Sequence, residues 1–319
     1  MFRSAYVIIG NEPGMRWVMV FDPEMKLTRE NFGSLPPLCT DGAWGTELQK
    51  LGAPPGLICD TWNLEQPDKV LTVARSYVDA GSQVILTNTF SGNRIMLAKH
   101  NAAEQAVAIC KAGAEISKRA AAGKAYVFAS LGPCGKMVMM AEIDTEEVEQ
   151  AYAEQALALV TGGADALVIE TQSDLVEAEA ALRGCLRVCK VPVGVTFTFD
   201  SGPQKDRTMM GVSVNQAYDL ATAGGASFVG ANCGAGIETF VGIARQFRAC
   251  GTDLPIWVKG NAGQPELDES GNCIYKAPPQ VYADLVRPLL DAGAHFIGGC
   301  CGSTPAHIRA IAEQMPTAG

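Results

Sequence analysis

The sequence lacks the apolar run of about 20 residues that a membrane-spanning helix requires. It also lacks any cluster of lysine and arginine, and its formal net charge is −9 with a pI near 5.0. An acidic chain without a basic patch is poorly suited to bind nucleic acid or an anionic membrane surface. We therefore expect no nucleic-acid and no membrane partner. Because the first ten residues have neither the length nor the cleavage site of a signal peptide, we expect a cytoplasmic protein.

Histidine is scarce, with three residues at His100, His295 and His307. Zinc hydrolases usually bind their metal through neutral histidines, so the low count disfavours that class of enzyme. The first apolar run is not followed by the G-x-G-x-x-G pattern of dinucleotide-binding sheets, and no low-complexity linker divides the chain. These absences favour a single domain, and the 48% of hydrophobic residues allow it a large core.

Eight short apolar runs, each followed by a longer amphipathic stretch, repeat along the chain. Their continuous apolar character is typical of parallel strands that are buried on both faces. Eight such strands alternating with helices predict an α/β fold, a single-domain (β/α)₈ TIM barrel, rather than an open sheet, which more often has about five to seven strands. The predicted strands lie within residues 38–45, 84–90, 126–133, 166–172, 193–200, 228–234, 256–263 and 296–302, and helical stretches within 102–122, 145–161, 174–190 and 279–292.

Residues 1–37 lie outside this repeat, and we interpret them as an N-terminal extension that precedes a barrel domain of residues 38–319. Residues 25–32 are compatible with a short helix that caps the bottom of the barrel and ends before the prolines at 36 and 37. The polar stretch 268–279 is expected to form a loop after the seventh strand.

Cysteines follow two of the predicted strands at their carboxyl ends, where the active sites of (β/α)₈ barrels lie. Cys233 ends the sixth strand, and Cys300 and Cys301 end the eighth, so all three converge on one mouth. Three thiolates leave a fourth ligand position of Zn²⁺ open, as in catalytic sites, and soft sulfur ligands favour zinc over magnesium or calcium. The alternative, a small buried apolar residue, suits Cys185 and Cys189, which share a predicted helix without further ligands.

Six motifs occur in order between Leu38 and the C-terminus: DGAWGTELQKLG, VILTNTFSGNR, ETQSD, GANCG, NAG and GGCCGSTPAHI. Together they resemble the homocysteine S-methyltransferase family, and most closely the homocysteine-binding domain of cobalamin-dependent methionine synthase. The resemblance implies a barrel that binds zinc through Cys233, Cys300 and Cys301, with the sulfur of homocysteine completing the ligand shell. It also implies an enzyme that transfers a methyl group to this sulfur and produces methionine.

The chemistry of the three cysteines agrees with this implication. A free thiol has a pKa of about 8.5, so little thiolate is present at neutral pH. Coordination to zinc deprotonates a thiol. Three protein thiolates already give a zinc site a net charge of about −1, which keeps a further sulfur electron-rich and able to attack a methyl carbon.

Polar residues at other strand ends are candidates for binding the amino acid substrate. Glu170, at the end of the fourth strand, is the best candidate to bind the ammonium group, with a structural carboxylate as the alternative. In the family, the element that contains Asp41 and the Gly42 amide lies beside the substrate, although Asp-Gly is also common in turns. The remaining candidates, which either hydrogen-bond the substrate, orient zinc ligands or fix loops, are Asn88, Thr171 and Asn261.

The sequence leaves the methyl donor open. We favour a methylated corrinoid, either free methylcobalamin or a separate corrinoid protein, because the motifs most resemble the cobalamin-dependent pattern. A small onium donor, S-methylmethionine or betaine, is the alternative, and the acceptor could be another thiol. A non-catalytic hypothesis is a zinc-binding barrel that serves as the partner of a corrinoid protein.

Overall fold

The computed structural model describes residues 6–9, 16–19, 25–251, 254–264, 266–267 and 273–316. Among the helices of these residues, none is long and apolar enough to cross a bilayer. The described strands are β1 (Tyr6–Ile9), β2 (Arg16–Met19), β3 (Leu38–Cys39), β4 (Val84–Ile85), β5 (Tyr126–Leu131), β6 (Ala166–Gln172), β7 (Val193–Phe197), β8 (Phe228–Cys233), β9 (Ile256–Gly260), β10 (Glu266–Leu267), β11 (Cys273–Ile274) and β12 (Ala294–Gly299).

Helices follow the strands, most of them one to a strand. The α-helices are α1 (Gly45–Lys50), α2 (Trp62–Glu65), α3 (Pro67–Asp79), α4 (Arg94–Ala98), α5 (Ala106–Ala121), α6 (Thr145–Thr161), α7 (Leu175–Val188), α8 (Val214–Ala223), α9 (Phe240–Ala249), α10 (Pro279–Asp291) and α11 (Pro305–Ala312). Short 3₁₀ helices are formed by Phe32–Ser34, Cys59–Thr61, Ala103–Gln105, Val138–Met140 and Ile237–Thr239.

Eight of the strands form one parallel sheet in the order β3-β12-β9-β8-β7-β6-β5-β4. A parallel bridge between Thr40 and Val84 joins the two ends of this order, so the sheet closes on itself. The predicted (β/α)₈ barrel is therefore confirmed. Two antiparallel pairs lie outside the ring, β1 with β2 and β10 with β11. The latter pair flanks the predicted loop 268–279, of which residues 268–272 lie outside the described residues.

Two barrel strands, β3 and β4, are only two residues long, much shorter than the apolar runs that predicted them. The reason is a side chain at their junction. The carboxylate of Asp41 accepts a hydrogen bond from the backbone N–H of Leu86 at 2.7 Å. A side chain thus replaces the neighbouring backbone as the partner immediately beyond β4, and the ladder between the two strands ends there.

The predicted helix over residues 25–32 is wrong. Residues 29–31 form a turn, and the 3₁₀ helix Phe32–Ser34 follows it. The side chain of Asn31 accepts a hydrogen bond from the N–H of Thr28 at 2.8 Å, and the Thr28 hydroxyl accepts one from the N–H of Asn31 at 3.3 Å. Such local side-chain bonds compete with helical ones, so they stabilise a turn instead.

Aromatic side chains fill the interior of the barrel near the amino ends of its strands. Phe32 stacks on Phe228 and on Phe296, with ring centroids 5.1 and 5.5 Å apart. Phe128 and Trp257 complete the layer, with their centroids 6.0 Å apart. All five side chains are fully buried. The turn that replaces the predicted helix therefore closes the bottom of the barrel through one inserted ring.

We expect Phe32→Ala to destabilise the protein by about 3–5 kcal/mol, because the substitution leaves a cavity in a closed aromatic layer. Urea unfolding followed by circular dichroism measures the loss. Phe90→Ala is the matched control, since Phe90 is 38% exposed at the mouth and its truncation should cost much less. Equal losses for the two variants would contradict the role of Phe32 as a buried plug.

Candidate active site

Three cysteines meet at the carboxyl ends of β8 and β12. The sheet register causes this meeting: Cys233 pairs with Gly260 of β9, and Gly260 pairs with Gly299 of β12. Cys300 and Cys301 therefore follow one and two positions beyond the row that contains Cys233. The three thiol sulfurs lie within 4.8 Å of one another, and all three residues are half-buried.

This arrangement fits a tetrahedral metal such as zinc. Sulfur ligands at about 2.3 Å from the metal lie about 3.8 Å from one another, so the observed spacing needs only small side-chain adjustments. Within the described residues, these cysteines are the one group of three or more metal-ligating side chains that is so closely spaced. The predicted convergence of the three cysteines on one mouth is thus observed.

Backbone hydrogen bonds hold the ligand-bearing segments in place. The N–H of Cys300 donates to the carbonyl of Gly260 at 2.7 Å, and the hydroxyl of Ser303 donates to the carbonyl of Cys300 at 2.7 Å. Cys233 has a φ of +62°, a left-handed conformation that is uncommon for a residue with a side chain. Backbone strain of this kind clusters at functional sites, where the surrounding structure maintains it.

The three thiols interact strongly with one another. A hydrogen bond with Cys300 lowers the pKa of Cys233, but a bond with Cys301 and burial outweigh it and raise that pKa to about 12. For Cys301, the hydrogen bond with Cys233 lowers the pKa, whereas interactions with Cys300 and burial raise it to about 12. The pKa of Cys300 is also raised, chiefly by its hydrogen bond with Cys233. A divalent cation supplies the positive charge that such a cluster needs in order to ionise.

Glu170 lies near the end of β6 and faces the same cleft as the cysteines. Its side chain is 7% exposed. The carboxylate accepts a hydrogen bond from the hydroxyl of Ser130 and a long one, 3.5 Å, from the amide of Asn232. Burial raises the pKa of Glu170, while the ammonium of Lys259 and the bond from Ser130 oppose this rise. The predicted carboxylate is thus present, buried and without a directly bonded cation among the described residues.

Lys259 of β9 forms a buried ion pair with Asp41, and the two side chains are 2% and 0% exposed. The second carboxylate oxygen of Asp41 accepts bonds from the indole N–H of Trp44 at 2.8 Å and from the N–H of Leu86 at 2.7 Å. Protein donors therefore occupy the carboxylate of Asp41. The sequence analysis missed Lys259, although a lysine inside the apolar run IWVKG is itself a sign of a buried partner.

The cleft between these groups has a volume of about 410 Å³. Most of the predicted residues line it, whereas Asp41 and Asn261 lie behind its wall. Asn261 donates to the carbonyl of Gly234 at 2.8 Å and also hydrogen-bonds the thiol of Cys233. Lining residues that the sequence analysis named are Gly42, Asn88, Glu170, Thr171, Cys233, Cys300 and Cys301.

Asn88 and Thr171 line the cleft but are also tied to the protein. The amide nitrogen of Asn88 donates to the carbonyl of Cys59 at 2.7 Å and to the side chain of Asn63 at 3.1 Å. The hydroxyl of Thr171 accepts a bond from Asn232 at 2.7 Å. These contacts fix the loop of Asn88 and the end of β6 that contains Thr171, and binding of a substrate by either residue stays a prediction.

Asp60 is a second carboxylate that the sequence analysis missed. It lines the same cleft, as do Trp44 and Phe90, and it is 4% exposed. Burial raises the pKa of Asp60 to about 7, although the N–H of Ser91 donates to its carboxylate at 2.7 Å. Its position in the 3₁₀ helix Cys59–Thr61, away from any strand end, gave no signal in the sequence.

Comparison with known proteins places this chain in a family. The family model described as homocysteine S-methyltransferase matches residues 38–315. The methionine synthase of Mycobacterium tuberculosis (strain ATCC 25618 / H37Rv) is 31% identical over 300 residues, covering 86% of this chain and 24% of that protein. The methionine synthase of Mycobacterium leprae (strain TN) is 31% identical over 292 residues, with the same coverage of both chains. The chain thus spans about a quarter of the length of these relatives.

Solved structures agree in fold. The metallated form of the homocysteine methyltransferase MmuM from Escherichia coli superposes with a TM-score of 0.74 at 24% identity, over 90% of this chain and 99% of that one. A methyltransferase from Methanosarcina mazei superposes with a TM-score of 0.62 at 12% identity, over 92% and 98%. Because the family model covers almost the whole barrel, the chain belongs to the homocysteine S-methyltransferase family.

Proposed function

We propose that this protein transfers a methyl group to the thiol of homocysteine and so produces methionine, with zinc held by Cys233, Cys300 and Cys301. The observation that carries the proposal is that these three sulfurs, within 4.8 Å of one another, share one cleft with the buried carboxylate of Glu170. Zinc, when bound, supplies the positive charge that keeps thiols ionised at neutral pH. The thiol releases its proton to solvent, the sulfur forms a bond to the methyl carbon, and the donor leaves with the electron pair of its broken bond to that carbon.

Glu170 binds the ammonium group of the acceptor in this proposal. Its carboxylate receives hydrogen bonds from Ser130 and Asn232 but forms no salt bridge with any described residue. Glu170 and Lys259 line the cleft, and Asp41 lies behind its wall in an ion pair with Lys259, so two buried carboxylates are accompanied by one ammonium. An acceptor that brings its own ammonium offsets this excess negative charge at the point where burial makes it most costly.

Exposed apolar side chains around the mouth support a corrinoid protein as the methyl donor. They lie in segments that follow β4, β5, β6 and β7, and hydrogen bonds join neighbouring segments. The N–H of Met139 donates to Asp174 at 2.9 Å, and the hydroxyl of Thr208 donates to the carbonyl of Ser173 at 2.8 Å. A clustered apolar rim is typical of a surface that a partner covers. Its members are Phe90, Met137, Met139, Met140, Val176 and Met209.

The metal assignment makes a direct prediction. The purified protein should contain about one zinc per chain, and Cys301→Ser should lose most of it together with methyl transfer, because a thiolate ligand is removed. Elemental analysis and methionine formation are measured on the same sample. Cys250→Ser is the matched control, since Cys250 is also half-buried but lies at the end of α9. Zinc that remains stoichiometric after all three ligands are replaced would contradict the assignment.

Glu170→Gln should weaken homocysteine binding about 10- to 100-fold, the value of one charge-assisted hydrogen bond, and should leave zinc in place. The binding of mercaptoethanol, which has no ammonium group, should be weakened little by the same substitution. Michaelis constants for both thiols, in wild type and variant, measure the difference. Equal losses for both would mean that Glu170 supports the structure or the metal rather than the substrate.

The donor is tested with methylcobalamin, S-methylmethionine and betaine, each supplied with homocysteine to the zinc-loaded protein. We expect methionine from methylcobalamin, because the relatives that share 31% identity are methionine synthases and the mouth has an apolar rim. Mass spectrometry of the product measures each rate. If methionine forms only with S-methylmethionine or betaine, the donor is a small onium compound and not a corrinoid. No product from any donor would favour a non-catalytic zinc-binding barrel.

A further inference from the structure

Lys259 points into the barrel from β9, the strand that lies between β8 and β12 in the sheet. On β9, Ile256 and Val258 pack in the outer core, whereas Trp257 belongs to the aromatic layer inside the ring. Because side chains alternate along a strand, Lys259 also faces inward, about 6.6 Å closer to the mouth than Trp257. The next residue, Gly260, accepts the hydrogen bond from Cys300. Lys259 thus lies one position before the row that contains Cys233, Gly260 and Gly299.

The ammonium of Lys259 has more hydrogen-bonding capacity than the protein uses. A lysine carries three N–H donors. In the described part of the chain, the carboxylate of Asp41 is the single acceptor within hydrogen-bonding distance, and the ring of Trp257 lies 5.9 Å away. The side chain is 2% exposed, so bulk water cannot easily satisfy the remaining donors. Donors of a buried charge that are left without acceptors are costly, which favours a ligand that supplies them.

The same residue lines the cleft that contains Glu170 and the cysteines. Glu170 is near enough for the ammonium to lower its pKa, yet the two side chains form no salt bridge. The cleft lining therefore presents a cation and an anion that are not bonded to each other. An α-amino acid carries the complementary pair, an ammonium and a carboxylate on one carbon.

We propose that Lys259 binds the carboxylate of the acceptor, so that Lys259 and Glu170 together select a thiol that is also an α-amino acid. The proposal rests on the proposed function, since it assumes that the acceptor thiol enters this cleft. Asp41 then acts as a positioning residue. Its other oxygen is held by Trp44 and Leu86, and it fixes the lysine while leaving two N–H donors for the ligand.

Binding of four thiols distinguishes the contribution of the acceptor's ammonium group from that of its carboxylate. Homocysteine has both charged groups, 4-sulfanylbutanoate lacks the ammonium, 3-aminopropane-1-thiol lacks the carboxylate, and propane-1-thiol lacks both. Their dissociation constants are measured by calorimetry on the full-length, zinc-loaded protein. Lys259→Met should weaken the binding of homocysteine and 4-sulfanylbutanoate about 10- to 100-fold and leave the other two thiols nearly unchanged. Glu170→Gln should instead weaken the two thiols that carry an ammonium.

Lys259→Met leaves the carboxylate of Asp41 buried without its cation, which by itself could unfold the barrel. The double variant Asp41→Asn, Lys259→Met removes both charges and should show the same selective loss of carboxylate-bearing thiols. Asp41→Asn alone keeps the lysine but loosens its position, so this variant should bind the carboxylate-bearing thiols more tightly than the double variant does.

An equal loss for all four thiols, or unchanged binding of homocysteine, would mean that Lys259 serves only the ion pair and would overturn the inference while leaving the proposed function intact. If wild type binds none of the four thiols, both the inference and the proposed function fail.

Discussion

The hydrogen-bonded register of β8, β9 and β12 is the constraint on which the site depends. It places Cys233, Gly260 and Gly299 in one row, so that cysteines 67 positions apart in the chain lie within 4.8 Å. A shift of one residue on any of the three strands would turn its inward residues outward and separate the sulfurs. The closed ring maintains this register because every strand is held on both sides, and the bridge between Thr40 and Val84 supplies the last connection.

The interior of the barrel is divided into two layers of opposite character. Near the amino ends of the strands it is aromatic, with Phe32 inserted as the plug. Near the carboxyl ends it contains the ion pair of Asp41 and Lys259, with Glu170 close by. Burying these charges costs desolvation energy, and that cost makes them receptive to a ligand with complementary charges. Stability is thus concentrated at the bottom of the barrel, and chemistry at its mouth.

The site residues that could be predicted from the sequence are those that end a strand. Those that could not be predicted are side chains whose role depends on partners that are distant in the chain or on burial. Cys233, Cys300 and Glu170 end apolar runs, so their convergence follows once a closed parallel barrel is inferred. Lys259 lies within a run and pairs with a residue 218 positions away, and Asp60 lies in a short 3₁₀ helix. The helix predicted over residues 25–32 failed because local hydrogen bonds of Thr28 and Asn31 outweighed the pattern.

The sequence alone determined the architecture, the approximate positions of the strands along the chain and the three candidate metal ligands, because apolar periodicity and the residues at strand ends are local properties. Only the tertiary structure decided which buried charges face one another. It paired Asp41 with Lys259, set Glu170 beside the pair without bonding to it, and left Asp41 and Asn261 behind the cleft wall. Those relations depend on side-chain directions across β3, β6 and β9, which lie far apart in the chain. Burial sets the energy of each such charge, and burial is a property of the assembled barrel.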